Sequence, residues 1–272
     1  RRSDLFYAAR QIHSQAIVFT LDADEILSAE ILNPKTRSEI IHQLGLPGSS
    51  LLLPWIMLWK SPLEYRTEPY GIWSQRWMRC IYWDDGKSEV PYEGFLHFPR
   101  VPRAFHQGEV LFQLPLLHYQ FSAWKRTSIK QAHWRILEWE KGPQTLLNSL
   151  RINLLYAIAR DTWDAKTTSI PLRWLQNYQD HGVDLTSPID EPYPWHLQEI
   201  LSLLLKNGSK RYALLDIWDL PWSAYHKKLI PREEKELQDP RPSWIKIYHD
   251  LIYGISYLGS SVARRIYQFI RS

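Results

Sequence analysis

Ile17-Val18-Phe19-Thr20-Leu21-Asp22-Ala23-Asp24-Glu25 is an apolar run that ends in three carboxylates within four residues. The apolar part predicts a strand over Ala16 to Leu21, and side chains on an extended segment alternate between two faces. Asp22 and Asp24 are therefore expected to project from one face of that segment. They follow the carboxyl end of the strand, which is where open α/β sheets bind their ligands.

Two carboxylates at the end of one strand suit a hard divalent cation. Mg²⁺ and Mn²⁺ prefer oxygen ligands and are usually held by one or two protein carboxylates, together with water and substrate phosphate oxygens. The pattern therefore predicts a metal–diphosphate site at Asp22 and Asp24. The alternative is that one aspartate caps a turn from Glu25 to Glu30 while the other acids are solvated.

The composition limits the classes of partner. The chain has 272 residues, of which 44% are hydrophobic, and a net charge of only +4 with dispersed basic residues, so no nucleic-acid partner is expected. A single cysteine, Cys80, excludes an internal disulfide and a cysteine-rich zinc module, and it fits a reducing, cytoplasmic location. Leu51 to Trp59 is too short for a membrane span and contains Pro54, and no signal peptide is recognisable.

The patterns predict a mixed α/β unit in residues 1–141 and a helical region in residues 142–272. In the first part the predicted elements are a helix over Leu5 to His13, a helix that begins at the capping-box spacing Thr36-Arg37-Ser38-Glu39 and ends at Gly45, and strands over Leu51 to Trp59, Ile72 to Trp83 and Val110 to Phe121. In the second part, helices are predicted after Pro143, over Leu172 to Tyr178, from Trp195 to Leu205 and from Ser243 to Arg271.

The last predicted helix carries a long apolar stripe with Lys246, Arg264, Arg265 and Arg271 on or beside it. Most amphipathic helices pack on their own core, and this interpretation is favoured here. The alternative is a peripheral contact with an anionic membrane at the inner face of the cell membrane, where lipid-linked acceptors reside.

Several motifs together resemble family 2-like glycosyltransferases of the GT-A fold. The resemblance covers Arg1 to Lys141 and rests on the first 27 residues with their acidic motif, on Arg76-Trp77-Met78-Arg79, and on His118-Tyr119 with the downstream Lys125, Lys130 and Glu138. It implies a partial GT-A mixed sheet and the metal-dependent transfer of a sugar from a nucleotide-diphosphate donor. The implied cofactor is Mn²⁺ or Mg²⁺, and the acceptor is a hydroxyl of a saccharide or a lipid-linked molecule.

The resemblance also implies roles for individual residues. Asp24 would be the principal metal ligand, Asp22 would contact the ribose or the metal through water, and His118 would lie near the diphosphate or complete the metal shell. Arg76 and Arg79 would pair with phosphate oxygens. The alternatives are a buried His118 that is hydrogen-bonded at a strand end, and arginines that face water.

The family's first strands and the acid that reads the nucleotide base precede the acidic motif, whereas this sequence has 21 residues before Asp22. We therefore expect an N-terminally truncated or degenerate version of the family. Poor binding of the donor by this polypeptide alone is the expected consequence.

An inverting transfer needs a carboxylate base that takes the proton of the attacking hydroxyl. The candidates in the sequence are Asp84, Asp85, Glu89 and Glu93. Glu93 lies in a loop-like segment four residues before His97 and is favoured, with Asp85 as the second candidate. Asp85-Gly86 also fits a hairpin turn, in which Asp bonds to its own backbone.

Two other classes of protein remain open. A haloacid dehalogenase-type phosphatase also has an apolar strand followed by Asp-x-Asp, but Ile26 stands where that class has Thr or Val, and its acidic pair would have to be Asp84 and Asp85. A non-enzymatic carbohydrate-binding module would use the aromatic side chains that are frequent between Trp55 and Trp83. Sugar binding that ignores metal would support this second class.

Overall fold

The computed structural model describes residues 2–67, 76–88, 100–156, 165–187, 193–231 and 237–254. The chain forms two compact units, Arg1–Ser122 with Lys166–Pro188, and Ala123–Ala165 with Ile189–Ser272. The sequence placed the boundary after residue 141, whereas the structure divides the chain after Ser122. The difference arises because helix α3 (Trp124–Lys141) packs with the other helices of unit 2, and because residues 166–188 return to the sheet of unit 1.

Unit 1 is built on an eight-stranded mixed sheet, so the predicted α/β class is confirmed at this level. The strands are β1 (Ile17–Phe19), β2 (Glu25–Leu27), β3 (Ser49–Trp59), β4 (Glu64–Arg66), β5 (Arg76–Trp83), β6 (His106–Val110), β7 (Leu116–Phe121) and β8 (Thr167–Ser169). Antiparallel pairing gives the order β1-β5-β3-β4-β8. On the other side of β3, β6 and β7 pair with it in parallel, and β2 pairs with β7.

Strand β3 is the centre of the sheet, and it covers the apolar run that the sequence predicted as a strand. Pro54 lies where β3 passes from its pairing with β6, which ends at Leu52, to its pairing with β7, which begins at Trp55. The ladder on that side is therefore already interrupted at the residue that lacks an N–H.

The prediction of one strand over Val110 to Phe121 is wrong, because this segment contains the end of β6 and the whole of β7. A turn separates the two strands: the Leu114 amide donates to the Leu111 carbonyl at 3.2 Å. Pro115 follows that turn and cannot donate to a ladder. The strand over Ile72 to Trp83 is confirmed from Arg76 onward, and residues 72–75 lie outside the described part of the chain.

Helices α1 (Arg2–Ile12) and α2 (Pro34–Leu44) flank the sheet of unit 1, and α5 (Gln176–Asp180) follows β8. The predicted capping box at Thr36 is wrong, since α2 begins earlier. Asn33 is the N-cap, its side chain accepts from the Lys35 amide at 2.9 Å, and Pro34 occupies the first helical position. Gly45 ends the helix with a φ of 70°, as predicted.

Unit 2 is helical, with α3, α4 (Leu146–Leu155), α6 (Trp195–Asn207), α7 (Trp222–Leu229) and α8, which the structure describes over residues 243–254. Its core gathers Ile136 and Trp139 of α3 with Leu201 and Leu204 of α6. The predicted helices after Pro143, from Trp195 and from Ser243 are confirmed, and residues 255–271 of the last one lie outside the described residues. Within the described ranges, no helix is long and apolar enough to cross a bilayer.

Candidate functional site

The acidic motif forms a turn rather than the extended segment that the sequence predicted. Strand β1 ends at Phe19, and the Glu25 amide donates to the Asp22 carbonyl at 3.0 Å, which closes a turn over Ala23 and Asp24. Strict alternation of side chains therefore does not apply here. The three carboxylates lie in different environments: Asp22 and Glu25 share Arg100, and Asp24 lies beside His118.

Glu25 is the buried acid of the motif, and its side chain is fully enclosed. Its carboxylate accepts from Arg100 Nη1 at 2.5 Å, from Trp55 Nε1 at 2.8 Å and from the backbone amide of Asp22 at 2.9 Å. Burial opposes ionisation, but these donors outweigh it, so that the pKa of Glu25 lies below its ordinary value. Glu25 is thus a structural anion beneath the turn.

Arg100 joins Glu25 to Asp22. Its Nη2 atom also donates to Asp22 Oδ2 at 2.5 Å, and its side chain is 9% exposed against 38% for that of Asp22. Burial by itself would lower the pKa of Arg100, but the paired carboxylates raise it above the usual value. One oxygen of Asp22 is therefore engaged by a guanidinium, and the turn is capped by Glu25 rather than by an aspartate.

Asp24 lies beside His118, as the site prediction requires. The distance from Asp24 Oδ2 to His118 Nε2 is 3.5 Å, and the Asp24 side chain is 41% exposed. The pairing of β2 with β7 brings them together, because it places Glu25 opposite His118 and lets the Tyr119 amide donate to the Asp24 carbonyl at 2.8 Å. The sheet thus joins two residues that are far apart in sequence.

The imidazole of His118 is buried against Trp55. The two rings are stacked with centroids 4.6 Å apart and an interplanar angle of 21°. His118 Nδ1 is enclosed and finds no hydrogen-bond partner among the described residues. Stacking therefore fixes the plane of the ring, and its Nε2 atom is directed to Asp24.

The two arginines of the site prediction differ in their surroundings. Arg79 is bound internally: its Nε donates to Ser50 Oγ at 2.7 Å and its Nη2 donates to the Phe105 carbonyl. Arg76 is exposed, and its Cζ lies 5.9 Å from the centroid of the Trp55 ring. The structure therefore places Arg76, and not Arg79, against the aromatic surface that carries His118.

The structure does not bring Asp85 to the acidic motif. Asp84 and Asp85 follow β5 where it pairs with the start of β1, whereas Asp22 and Asp24 follow the end of β1. Asp84 forms a two-point ion pair with Arg10, and Asp85 accepts from the amides of Lys87 and Ser88, as a turn acid does. Glu89, Glu93 and His97 lie outside the described residues.

The donor set fits a divalent cation in part. No group of three or more His, Cys, Asp or Glu side chains in the described ranges is arranged to hold a metal ion. Of the three predicted ligands, Asp24 and His118 lie together, while Asp22 shares Arg100 with Glu25. Two protein donors suffice for Mg²⁺ or Mn²⁺ when water and phosphate oxygens supply the rest.

Sequence reasoning did not find the supporting residues of this site. Glu25 was recognised as acidic, but its place beneath the turn was not, and neither Arg100 nor Trp55 was assigned to the site. One signal was available, since three acids in four residues need a cation near them once any of them is buried. The identity of that cation depends on the sheet pairing and could not be read from spacing.

Comparison of the chain with protein-family models, with curated proteins and with solved structures finds no match. The fold class therefore rests on the sheet and helices described above. The features of the chain that bear on its function are the acidic site and the motifs of the sequence.

Proposed function

We propose that this chain is a metal-dependent glycosyltransferase of the family 2-like, GT-A type, which transfers a sugar from a nucleotide-diphosphate donor to an acceptor hydroxyl, with inversion. The observation that supports it most is the placement of Asp24 beside His118 at the end of the acidic turn. The motif and the histidine were selected from separate parts of the sequence, and the fold joins them.

The side chains of the site are of the types that a hard cation accepts. Asp24 offers a partly exposed carboxylate beside His118, while Asp22 and Glu25 share the guanidinium of Arg100. The neutral form of His118 adds a nitrogen donor without adding charge. A bound Mn²⁺ or Mg²⁺ would be held by Asp24 and His118, and it would neutralise charge on the departing diphosphate.

The protein's own side chains have definable tasks in this proposal. Arg100 and Glu25 hold the turn, so that Asp24 is presented at its tip with a partly exposed carboxylate. Trp55 orients His118, and the exposed Arg76, whose guanidinium lies over the Trp55 ring, supplies positive charge for a phosphate group. Glu93 remains the proposed base, with Asp85 disfavoured by its position at the other end of β1.

The test is the binding of Mn²⁺ with and without a nucleoside diphosphate, followed by electron paramagnetic resonance. We expect the diphosphate to strengthen retention of Mn²⁺ by the wild type, and we expect Asp24→Asn and His118→Gln each to weaken it by about tenfold or more. Asp180→Asn changes an exposed aspartate of α5 in the same way and should behave as the wild type.

A screen of nucleotide sugars with Mn²⁺, at donor concentrations high enough to allow for the expected weak binding of the donor, then tests turnover. Release of nucleoside diphosphate by the wild type, lost in Asp24→Asn, supports transfer. Equal turnover in the two proteins, or equal Mn²⁺ retention, contradicts the proposal. Hydrolysis of simple phosphate esters without any use of nucleotide sugars would instead favour the phosphatase class.

A further inference from the structure

An exposed apolar surface in unit 2 is separate from the acidic site. It consists of Leu146 and Leu147 of α4 with Trp244, Ile247 and Leu251 of α8, and we call it the α4–α8 surface. The exposed fractions of these residues run from 51% for Leu146 to 76% for Leu147. Isolated exposed hydrophobic residues are normal, whereas a group on neighbouring elements marks an interaction site.

The two helices are in contact at Tyr248 of α8. Tyr248 Oη lies 3.0 Å from Ser149 Oγ and 3.3 Å from the Leu146 carbonyl. Tyr248 is one helical turn from both Trp244 and Leu251, so this contact sets the first turn of α4 beside the apolar stripe of α8. The leucines of α4 and the stripe of α8 therefore form one surface.

The opposite face of α8 is already used for packing. Ile245, His249, Ile252 and Tyr253 are each less than one-tenth exposed, and His249 Nε2 bonds to the Leu214 carbonyl at 3.0 Å. The helix thus has two apolar faces, and only one of them is buried in the core of unit 2. Trp244, Ile247 and Leu251, at spacings of three and four residues, form the face that the core leaves exposed.

The charges of the sequence indicate what covers this face. Asp250 is the last acidic residue of the chain, and the 22 residues after it include Arg264, Arg265 and Arg271. Lys246 of α8 and Arg151 of α4 are more than half exposed, and each lies beside a carboxylate, Asp239 at 3.8 Å and Glu138 at 3.0 Å. The excess of basic charge is therefore a property of the sequence from 243 to 272, which has four basic residues and one acidic residue. An apolar stripe with such an excess matches segments that lie on anionic lipid. A second copy of this chain would bring like charges together.

We propose that the α4–α8 surface docks on an anionic lipid membrane, with Trp244, Ile247 and Leu251 entering the boundary between headgroups and acyl chains. This proposal does not depend on the proposed transferase activity. Trp suits such a boundary, because its ring is apolar and its N–H is a donor. The basic residues provide the preference for anionic headgroups.

The test is flotation of the full chain with vesicles of phosphatidylcholine alone, or with an equal amount of phosphatidylglycerol. We expect binding to the anionic vesicles, weaker binding to the neutral ones, and a decline as salt rises. In the triple variant Trp244→Ser, Ile247→Ser, Leu251→Ser, the partition coefficient onto anionic vesicles should fall by about tenfold or more. The double variant Phe112→Ser, Leu172→Ser removes two exposed apolar side chains of unit 1 and should bind like the wild type.

Circular dichroism and thermal melts establish whether the triple variant is folded. If it is not, Ile247→Ser alone, at a residue that is 59% exposed, is the variant to compare. Wild-type protein that stays unbound, equal binding to both vesicle types, or unchanged binding by the folded variants would overturn the proposal. Self-association in sedimentation that the triple variant abolishes would also overturn it, in favour of a second copy as the occupant.

Discussion

Glu25 is the residue on which the acidic turn depends, because it is the enclosed carboxylate beneath Asp22 and Asp24. Glu25→Gln keeps the shape of the side chain but removes the charge that faces Arg100. We expect a loss of about 2 kcal/mol in the free energy of unfolding near neutral pH, the scale of a hydrogen bond to a charged group. Urea unfolding of the two proteins measures this difference, with Glu39→Gln of α2, whose carboxylate accepts from Gln43, as the control.

The same pair of proteins should respond differently to acid. The pKa of Glu25 is lowered in the folded state from its ordinary value of 4.5, so the unfolded chain binds the proton more readily. The stabilisation by Glu25 is therefore complete above that value, and it is lost as the pH falls through the lower pKa of the folded state. Wild type and Glu25→Gln should converge in stability in acid, and a constant difference down to about pH 2 would contradict this account.

Residue types alone predicted part of the site. A metal site at Asp22 and Asp24 was predicted from their chemistry and stays a prediction. The separation of the two carboxylates was not predicted, since the turn depends on a donor, Arg100, that lies far along the chain. His118 was selected by resemblance, and its distance from Asp24 depends on the pairing of β2 with β7. β2 has only three residues, and so short a strand carries too little pattern to be predicted.

Strand β5 provides a prediction at the scale of an element. Cys80 lies within β5, between β1 and β3, and is fully buried. Burial raises the pKa of its thiol to about 12, so the thiol stays protonated in the folded sheet. Because it is buried, a reagent in solution also cannot reach it. We expect a thiol reagent such as Ellman's reagent to label Cys80 only after unfolding in urea, and the rate in native buffer to report opening of β5.

The unfolded chain is the positive control for this measurement, because Cys80 is the single cysteine of the sequence. Complete labelling in native buffer within the time that the unfolded protein needs would contradict the position of β5 inside the sheet. Loss of labelling in urea would instead indicate an oxidised thiol and is checked by prior reduction.

The elements divide into those that local pattern predicts and those that it does not. Strand β3 and helix α6 have long apolar patterns, and both were predicted within a few residues. Strands β4 and β8 were missed, since Thr167 to Ser169 is an exposed, polar segment that is strand only because it pairs with Glu64 to Arg66. The start of helix α2 was predicted wrongly for another reason. The sequence offers two N-caps, Asn33 before Pro34 and Thr36, and the helix begins at the earlier one.

At the scale of the whole molecule, each unit collects segments that are separated in sequence. Residues 166–188 complete the sheet of unit 1, and the segment after 189 completes the helices of unit 2. Sequence patterns predict the segments but not the unit to which each segment belongs, because the helical spacing of α3 is the same whichever unit it joins. Burial of the α3 face in the core with α6 decides the boundary.

Unit 2 is held together at Asp216 by a buried polar network. Asp216 accepts from Tyr253 Oη of α8, and its carboxylate lies 3.7 Å from Arg135 Nη2 of α3 and 3.8 Å from His249 Nδ1 of α8. Its amide donates to Asn153 Oδ1 of α4 at 3.0 Å. Side chains of α3, α4 and α8 thus meet at one enclosed residue, Asp216.

Asp216→Asn should therefore weaken unit 2 as a whole. The change leaves the guanidinium of Arg135, whose side chain is 4% exposed, without its anionic neighbour. Breaking a buried pair from one side costs about 3 to 5 kcal/mol, and we expect a loss of that size in urea unfolding, with faster amide exchange in α8. Asp219→Asn alters the exposed partner of Arg241 and should cost less than about 1 kcal/mol. Similar losses in the two variants, or unchanged exchange in α8, would show that the network does not hold these helices together.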